Sequence, residues 1–361
     1  MKIGLSANAL GHGGGLERYV RNLICGLAAR GIKPVVFTRR LEMSSRERKL
    51  VEPHHIGVSF LPGKLRDHWF SRRLREARRV ADVDVLIACN RVDTSEIAIC
   101  GGTHLGFLRA IGRKQKRSDR WTIALERRYY EQAKIIVAHS KLMRDELGEL
   151  YGVEESKIRV LYPPVDNTSF TLVDPVRRTT FRRKYGFADN EVVLLFPSSS
   201  HERKGLPLIE SALKGTTLPV VLAVAGRAPR RTSERVRYLG FMRQIEECYQ
   251  AADFTILASQ YEPFGLVGVE TLLCGTPAIL SSRVGCSEAI APRAKFTFTP
   301  GNVADLRAAI ARAVRSVGSG QNVSRADLLY DTSITNHVGS LLSLARHIHY
   351  GDNEGLDGDA A

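Results

Sequence analysis

The chain has no C-x-x-C pair and no H-E-x-x-H, and its ten histidines come together only as His54/His55 and His347/His349, in polar or terminal stretches. Those absences exclude the common zinc and redox signatures, so no built-in metal is expected. The six cysteines, Cys25, Cys89, Cys100, Cys248, Cys274 and Cys286, lie mostly inside apolar runs and read as small buried hydrophobes in a reducing compartment. No apolar run reaches the roughly 18 residues that a membrane-spanning helix needs. The opening "MKIGLSANALGHGGG" is too short in apolar length for a secretory leader and reads as a first strand and its loop, which points to the cytoplasm. Zinc-finger spacing, an aromatic platform motif and an evident helix-turn-helix are also missing, so nucleic acid ranks last among the partners considered and is not expected.

What the chain does have is positive charge, unevenly placed. The formal net charge is +15, and residues 1–165 hold 31 Lys and Arg against 18 Asp and Glu (+13), leaving 22 against 20 (+2) for the rest. "TRRLEMSSRERK", "RRLREARR" and "RKQKRSDR" are the dense stretches. Solvated helix faces account for such charge, and so does an anionic partner such as a membrane surface or a phosphorylated acceptor.

At 361 residues the chain exceeds what one core usually organises, and two domains are expected. Short apolar runs alternate with segments of helical spacing. "KIGLSA", "KPVVFT", "IGVSFLP" (56–62), "DVLIAC", "SEIAIC", "KIIVAHS" and "KIRVLYPPVD" are the strand candidates of the first half, with a helix over about 69–81. The double proline Pro163-Pro164 closes that series and sets domains of 1–165 and 166–330. "EVVLLFP", "PVVLAVAG", "VRYLG", "DFTILAS", "PAILSS" and "AKFTFT" form the second series. A final helix over about 331–349 and an acidic, Gly-rich tail, 351–361, expected to be disordered, end the chain. The strand runs are continuously apolar rather than alternating, as in parallel sheets covered on both faces. The predicted fold class is therefore α/β, with two doubly wound Rossmann-like domains in tandem. Ligands of such sheets sit beyond the carboxyl ends of the strands, and two facing domains would place that site in the cleft between them.

The loops after strands carry the candidate chemistry. "GHGGGL" breaks the dinucleotide fingerprint, with Leu16 where the last Gly should be, and no acid closes the second strand at "FTRR". Gly13 to Gly15 then form either a flexible turn or a backbone surface for a phosphate or sugar at a helix start. Arg203 and Lys204 in "SSSHERKGL" stand where a strand meets a helix and make an anion receptor. "EPFGLVGVE" sets Glu262 in a turn and Glu270 about one helical turn inward, with the amides of Phe264, Gly265 and Leu266 between. Glu262 alone reads as a helix cap. The pair suits a ligand that is anionic in the middle and hydroxyl-rich at both flanks, as a nucleoside-diphosphate sugar is. Asp82-Val83-Asp84 is a D-x-D triplet, but it precedes its strand and lies at the wrong end of the sheet for a metal-bound ligand.

"GHGGGLERYV", "ERKGL", "LAVAGRAP" and "EPFGLVGVE" followed by "GTPAI" together resemble glycosyltransferase family 4, whose fold is the two-domain GT-B, over residues 1 to about 350. The two glutamates with seven residues between them are its most specific element. The resemblance implies a retaining, metal-independent transferase without a cofactor. It would take a sugar from a UDP- or GDP-sugar to a glycan or lipid-linked acceptor, as in lipopolysaccharide or other envelope synthesis. It also implies roles: Glu262 on donor-sugar hydroxyls, Glu270 on the ribose, Phe264, Gly265 and Leu266 on the diphosphate, and Lys204 on the departing phosphate. His104 would face the reacting sugar, Gly240 and Phe241 the base, and Gly14 and Gly15 the phosphate side. The first domain would carry the acceptor, the last helix would pack back on it, and its charge would suit peripheral contact with the inner face of an anionic membrane. Where many members have an arginine six residues before the lysine this chain has Ser198, and Arg203 is the candidate replacement. A sugar-nucleotide epimerase of the same fold and a non-catalytic nucleotide-sugar-binding protein are the alternatives.

Overall fold

The computed structural model describes residues 1–11, 14–41, 46–229, 233–318 and 323–351. Gly13 and nearly all of the acidic tail lie outside them. The chain divides into two compact units, Met1–Pro164 with Thr332–Ala361, and Val165–Asp331.

In the first unit the elements run β1 (Ile3–Ala7), α1 (Gly15–Ala28), β2 (Val35–Thr38), β3 (Glu52–His55), α2 (Gly63–Val80), β4 (Val85–Ala88), β5 (Ile97–Cys100), α3 (His104–Ala110), α4 (Arg117–Gln132), β6 (Ile135–Ala138), α5 (Lys141–Tyr151) and β7 (Ile158–Val160). The strands form one parallel sheet in the order β3-β2-β1-β4-β5-β6-β7. Four-residue runs such as Val85-Leu86-Ile87-Ala88 are buried throughout, because helices cover both faces.

The third strand differs from expectation. The apolar run 56–62 is loop, with Ile56 and Val58 buried in it, and the ladder is continued by Glu52-Pro53-His54-His55. This strand is the edge of the sheet, where a proline's missing N–H costs no ladder bond. The short helix α3 follows β5 directly, and α4 returns the chain to β6.

The second unit follows as α6 (Pro175–Lys184), β8 (Val192–Ser198), α7 (His201–Lys204), α8 (Leu206–Leu213), β9 (Val220–Gly226), β10 (Val236–Gly240), α9 (Ile245–Ala251), β11 (Phe254–Leu257), α10 (Leu266–Leu273), β12 (Ala278–Ser281), β13 (Lys295–Phe298) and α11 (Val303–Ser316). Its parallel sheet has the order β10-β9-β8-β11-β12-β13. Leu194, Phe196, Leu222, Val224 and Ile256 of the strands meet Ile209 of α8 and Leu306 and Ile310 of α11 in one core.

The last helix, α12 (Ile334–Tyr350), belongs to the first unit and packs on α1. Val338, Leu341, Leu342 and Ala345 join the cluster of Leu5, Val20, Leu23, Ile24 and Ile87. Gly26 of α1 permits the approach, since a Cβ there would meet the Val338 side chain at 2.6 Å. Three buried rings lock the joint. The Tyr19 hydroxyl and His337 Nε2 are 2.8 Å apart, and the Tyr19 ring stands edge-on to His139 with centroids 4.7 Å apart.

Candidate functional site

In both sheets the strand order reverses beside the first strand, between β1 and β4 in one unit and between β8 and β11 in the other. Crevices at such switch points are where doubly wound sheets bind ligands. In the second unit the segments leaving β8 and β11 carry Arg203 and Lys204, on α7, and Glu262, on either side of that point.

Lys204 is the last residue of α7 and its ammonium donates to the Pro197 carbonyl at 3.2 Å. Burial holds the ammonium below its ordinary lysine range; the charges of Glu262 and Glu270 act the other way, and Arg203 lowers it further. Gly205 makes the turn behind it at φ 82°, and a Cβ there would come within 2.2 Å of the Ala258 carbonyl oxygen at the end of β11. Only glycine lets the lysine-bearing loop approach the neighbouring strand so closely.

Glu262 does not cap the helix. Gly265 is the N-cap of α10, at φ 88°, and no side chain caps it. The Glu262 backbone instead bridges to Val284, and its carboxylate accepts from Arg203 Nη1 at 3.3 Å and from the Ser259 hydroxyl at 3.4 Å. The first-turn amides of α10 thus open beyond a buried Phe264 without a side-chain cap, the usual condition for an anion at a helix start. Glu270, one turn in, is only 3% exposed and accepts from the Tyr249 hydroxyl at 2.9 Å. That hydrogen bond satisfies one lone pair of a carboxylate that burial would otherwise penalise. Ser198 is buried at the end of β8 with its hydroxyl 3.0 Å from His201 Nδ1. Arg203 sits against Glu262, its Nη1 3.3 Å from the carboxylate. Gly240 ends edge strand β10 at φ 85°, and Phe241 beyond it is 84% exposed, a bare ring at the carboxyl edge of the sheet.

In the first unit His104 opens α3, whose N-cap Thr103 accepts from the Gly106 amide. His104 Nε2 is 2.8 Å from Asp119 Oδ1, and its backbone N–H donates to Glu126 Oε2 at 2.9 Å. Arg113, then the Lys116 amide and His104, hold the Asp119 carboxyl far below its usual range. Glu126, fully buried, also accepts from Arg91 Nε at 2.7 Å and from the Tyr151 hydroxyl. His104 therefore has a ring held in place by a carboxylate that its neighbours favour in the ionised form. Across the switch point Ser6 donates to Asn90 Oδ1 at 2.6 Å. Gly14 caps α1 from an extended conformation, where a Cβ would lie 3.5 Å from the Glu17 carboxylate, and Gly15 begins the helix.

The structure gathers Arg203, Lys204, Glu262 and Glu270 in the second unit with the start of α10, and places His104, Gly14 and Gly15 in the first. Asp119, Glu126, Tyr249 and Ser259 escaped the sequence reading. Asp119 stands among arginines and lysines with no spacing that ties it to His104. Asp82 and Asp84 lie at the opposite edge of the sheet, where Asp84 accepts from the Lys2 amide at 2.6 Å. Among the described residues no group of three or more His, Cys, Asp or Glu could hold a metal, and no helix is long and apolar enough to cross a membrane.

Residues 13–169 match the family described as Glycosyltransferase Family 4, and residues 177–326 match Glycosyl transferases group 1. A probable transglycosylase of Burkholderia thailandensis is 62% identical over 351 residues, 96% of this chain and 97% of that protein. An uncharacterised glycosyltransferase of Methanocaldococcus jannaschii is 26% identical over 215 residues, 55% of this chain and 52% of that one. Among solved structures, WaaG, a glycosyltransferase involved in lipopolysaccharide biosynthesis, superposes with TM-score 0.76 at 18% identity, over 98% of this chain and 96% of that one. HepE of Anabaena, solved with UDP and glucose, gives 0.73 at 18% identity over 95% and 99%. Two doubly wound domains of this order are the GT-B architecture of the glycosyltransferases. The chain belongs to glycosyltransferase family 4.

Proposed function

We propose that the protein moves a sugar from a nucleoside-diphosphate sugar, UDP- or GDP-linked, to a glycan or lipid-linked acceptor of the cell envelope, with retention of configuration and without a metal. The observation that carries this reading is the gathering of Lys204, Glu262 and Glu270 around the uncapped start of α10, at a topological switch point. In this reading Lys204 and the amides of Gly265 and Leu266 take the diphosphate, and Glu270 takes the ribose. Glu262 exchanges Arg203 for sugar hydroxyls when donor binds, which releases the guanidinium toward the phosphates. The Phe241 ring lies against the base. Charge growing on the leaving phosphate meets a cation and helix dipole already in place, so little reorganisation is needed at the moment of reaction.

No carboxylate is assigned as a covalent nucleophile. The leaving phosphate takes the acceptor's proton in a front-face displacement, and His104, held by Asp119, orients a hydroxyl of the transferred sugar. The WaaG and HepE likenesses support an envelope glycan and a uridine donor respectively, by analogy of fold.

The test is a panel of sugar nucleotides and glycolipid acceptors, followed by NMR of the anomeric proton in the product. The expected product keeps the donor's anomeric configuration, and EDTA leaves the rate unchanged. Donor turnover without acceptor would favour the epimerase alternative, and an inverted product would sink the mechanism.

A further inference from the structure

β4 and β5 are neighbouring parallel strands joined without a helix, by the crossover 89–96. The crossover is held to α2, where the Ser71 hydroxyl donates to Asp93 Oδ1 at 2.5 Å, and to α4, where Arg91 Nε donates to Glu126 at 2.7 Å. Its last residues and the carboxyl-terminal turns of α2 and α4 line a cavity of about 470 Å³. That volume falls within the range of small-molecule sites. The cavity lies at the amino end of β5, and His104 follows the other end of the same strand.

Its wall is cationic and incompletely neutralised. Arg78 grips the Glu96 carboxylate with both terminal nitrogens at 3.1 Å, and its Nη1 also donates to the Thr94 carbonyl at 2.6 Å. Arg75 and Arg128 are about half exposed and share one carboxylate, Asp93. Arg75 Nη2 is 3.2 Å from Oδ1, whereas Arg128 Nε stands 3.9 Å from Oδ2, too far for a hydrogen bond, while its Nη2 reaches His68 Nδ1 at 3.2 Å. Three guanidiniums against two carboxylates leave one positive charge over. Ser95, also in the lining, is 3% exposed, and its hydroxyl has no hydrogen-bond partner. An unsatisfied buried hydroxyl is costly, and nothing in the fold explains keeping one at this position.

We propose that this cavity binds a small hydroxylated phosphate monoester. A phosphate accepts two parallel hydrogen bonds from a guanidinium fork, and its negative charge meets the surplus of Arg75 and Arg128. Drawing Arg128 toward the ligand breaks no hydrogen bond at Asp93, whose Oδ1 keeps Ser71 and Arg75. The Ser95 hydroxyl gains the partner it lacks by donating to a phosphate oxygen. Thr94 and Gln132 offer a hydroxyl and an amide to the rest of the molecule. The described lining holds no aromatic ring on which a base could stack, which sets the cavity apart from a nucleotide site. Doubly wound sheets bind their substrates at the carboxyl edge, so a ligand at the amino end of β5 is not placed for sugar transfer. The site is additional to the donor site and independent of the acceptor's identity.

The experiment titrates the full chain with glycerol 3-phosphate, inorganic phosphate and glycerol in a calorimeter, as wild type and as Lys204→Ala, which lacks the lysine assigned to the donor's phosphates. Expected are binding of glycerol 3-phosphate to both proteins, weaker binding of inorganic phosphate, and none of glycerol. Arg75→Gln with Arg128→Gln, and separately Ser95→Ala, should each weaken glycerol 3-phosphate binding about tenfold. Ser95→Ala removes an orphaned hydroxyl, so the melting temperature of the unliganded protein should not fall, an outcome that a structural role for the hydroxyl would reverse. Sugar transfer in the absence of glycerol 3-phosphate should be unchanged in these variants. Absence of binding to the wild type, its loss in Lys204→Ala, or binding indifferent to both cavity variants would overturn the proposal. UDP affinity measured on the same proteins tests the donor site separately: it should drop in Lys204→Ala and stay unchanged in the cavity variants.

Discussion

Lys204 meets a backbone carbonyl and the fields of two carboxylates in a partly buried place, and this combination makes its protonation state a kinetic variable. Its pKa is held below the ordinary lysine value of 10.5, first by burial. The charged form is the one that serves a departing phosphate, so kcat/KM should fall on the alkaline side beginning below pH 10.5, as the pKa of the free enzyme is crossed. Lys204→Arg should keep part of the activity and lose that alkaline limb, whereas Lys204→Ala should lower kcat by about 10²–10³ with the folded state retained. A normal rate in Lys204→Ala would remove this residue from the site. At this scale the sequence was informative where function compresses residues into a short segment. Glu262 and Glu270 could be read from one nonapeptide, and Arg203 with Lys204 from another. Asp119, fifteen residues past His104, is brought to it only by the fold, through the turn that joins α3 to α4, and nothing local announces the contact. The cap reading of Glu262 failed for a similar reason, because its carboxylate is drawn to Arg203 from the neighbouring loop.

The attachment of helix α12 is sensitive to acidity. His337 and His139 are both buried beside Tyr19, and burial pushes them down to about 4 and about 3. The Nε2 of His139 has no hydrogen-bond partner, so a proton there has nothing to share its charge. An unfolded histidine titrates near 6.5, so the stability these neutral rings contribute is full above that pH and is lost as pH falls toward 4 and below. At pH 5 each depressed histidine costs roughly 2 kcal/mol against its unfolded value. Thermal melts should therefore fall steeply between pH 6.5 and 4, and His337→Gln, which can still meet the Tyr19 hydroxyl, should flatten that slope. An unchanged slope in the variant would detach the acid response from this joint. Strands and amphipathic helices were legible here because continuous apolar runs leave few other ways to fold. The edge strand β3 was not, since Glu52-Pro53-His54-His55 has no strand character of its own and is extended because β2 offers it a partner. Helix α6, "PVRRTTFRRK", likewise lacks an apolar stripe. Only its Asp174 cap and Pro175 at the first turn mark it, while Arg178 and Arg182 anchor it to Asp253.

Counting charge by compact unit changes the sequence picture. The returning segment 332–361 brings one Arg and four acids, so the first unit holds 32 Lys and Arg against 22 Asp and Glu (+10), and the second 21 against 16 (+5). The charge of the first unit is thus concentrated in surfaces such as the outer face of α2 rather than owned by the whole half. A fragment of residues 1–164 made without the rest would leave the faces of Val20 and Ile24 uncovered, since Val338, Leu341 and Leu342 are what buries them. It should bind a hydrophobic dye and resist crystallisation, and a co-expressed peptide spanning α12 should reverse the dye binding; a quiet, monomeric fragment would show that α12 is dispensable. During synthesis the whole of the second unit is translated before the helix that completes the first. Until α12 follows, the first unit stays open along one flank, and the apolar faces of Val20 and Ile24 are exposed for the whole time that the second unit is being made.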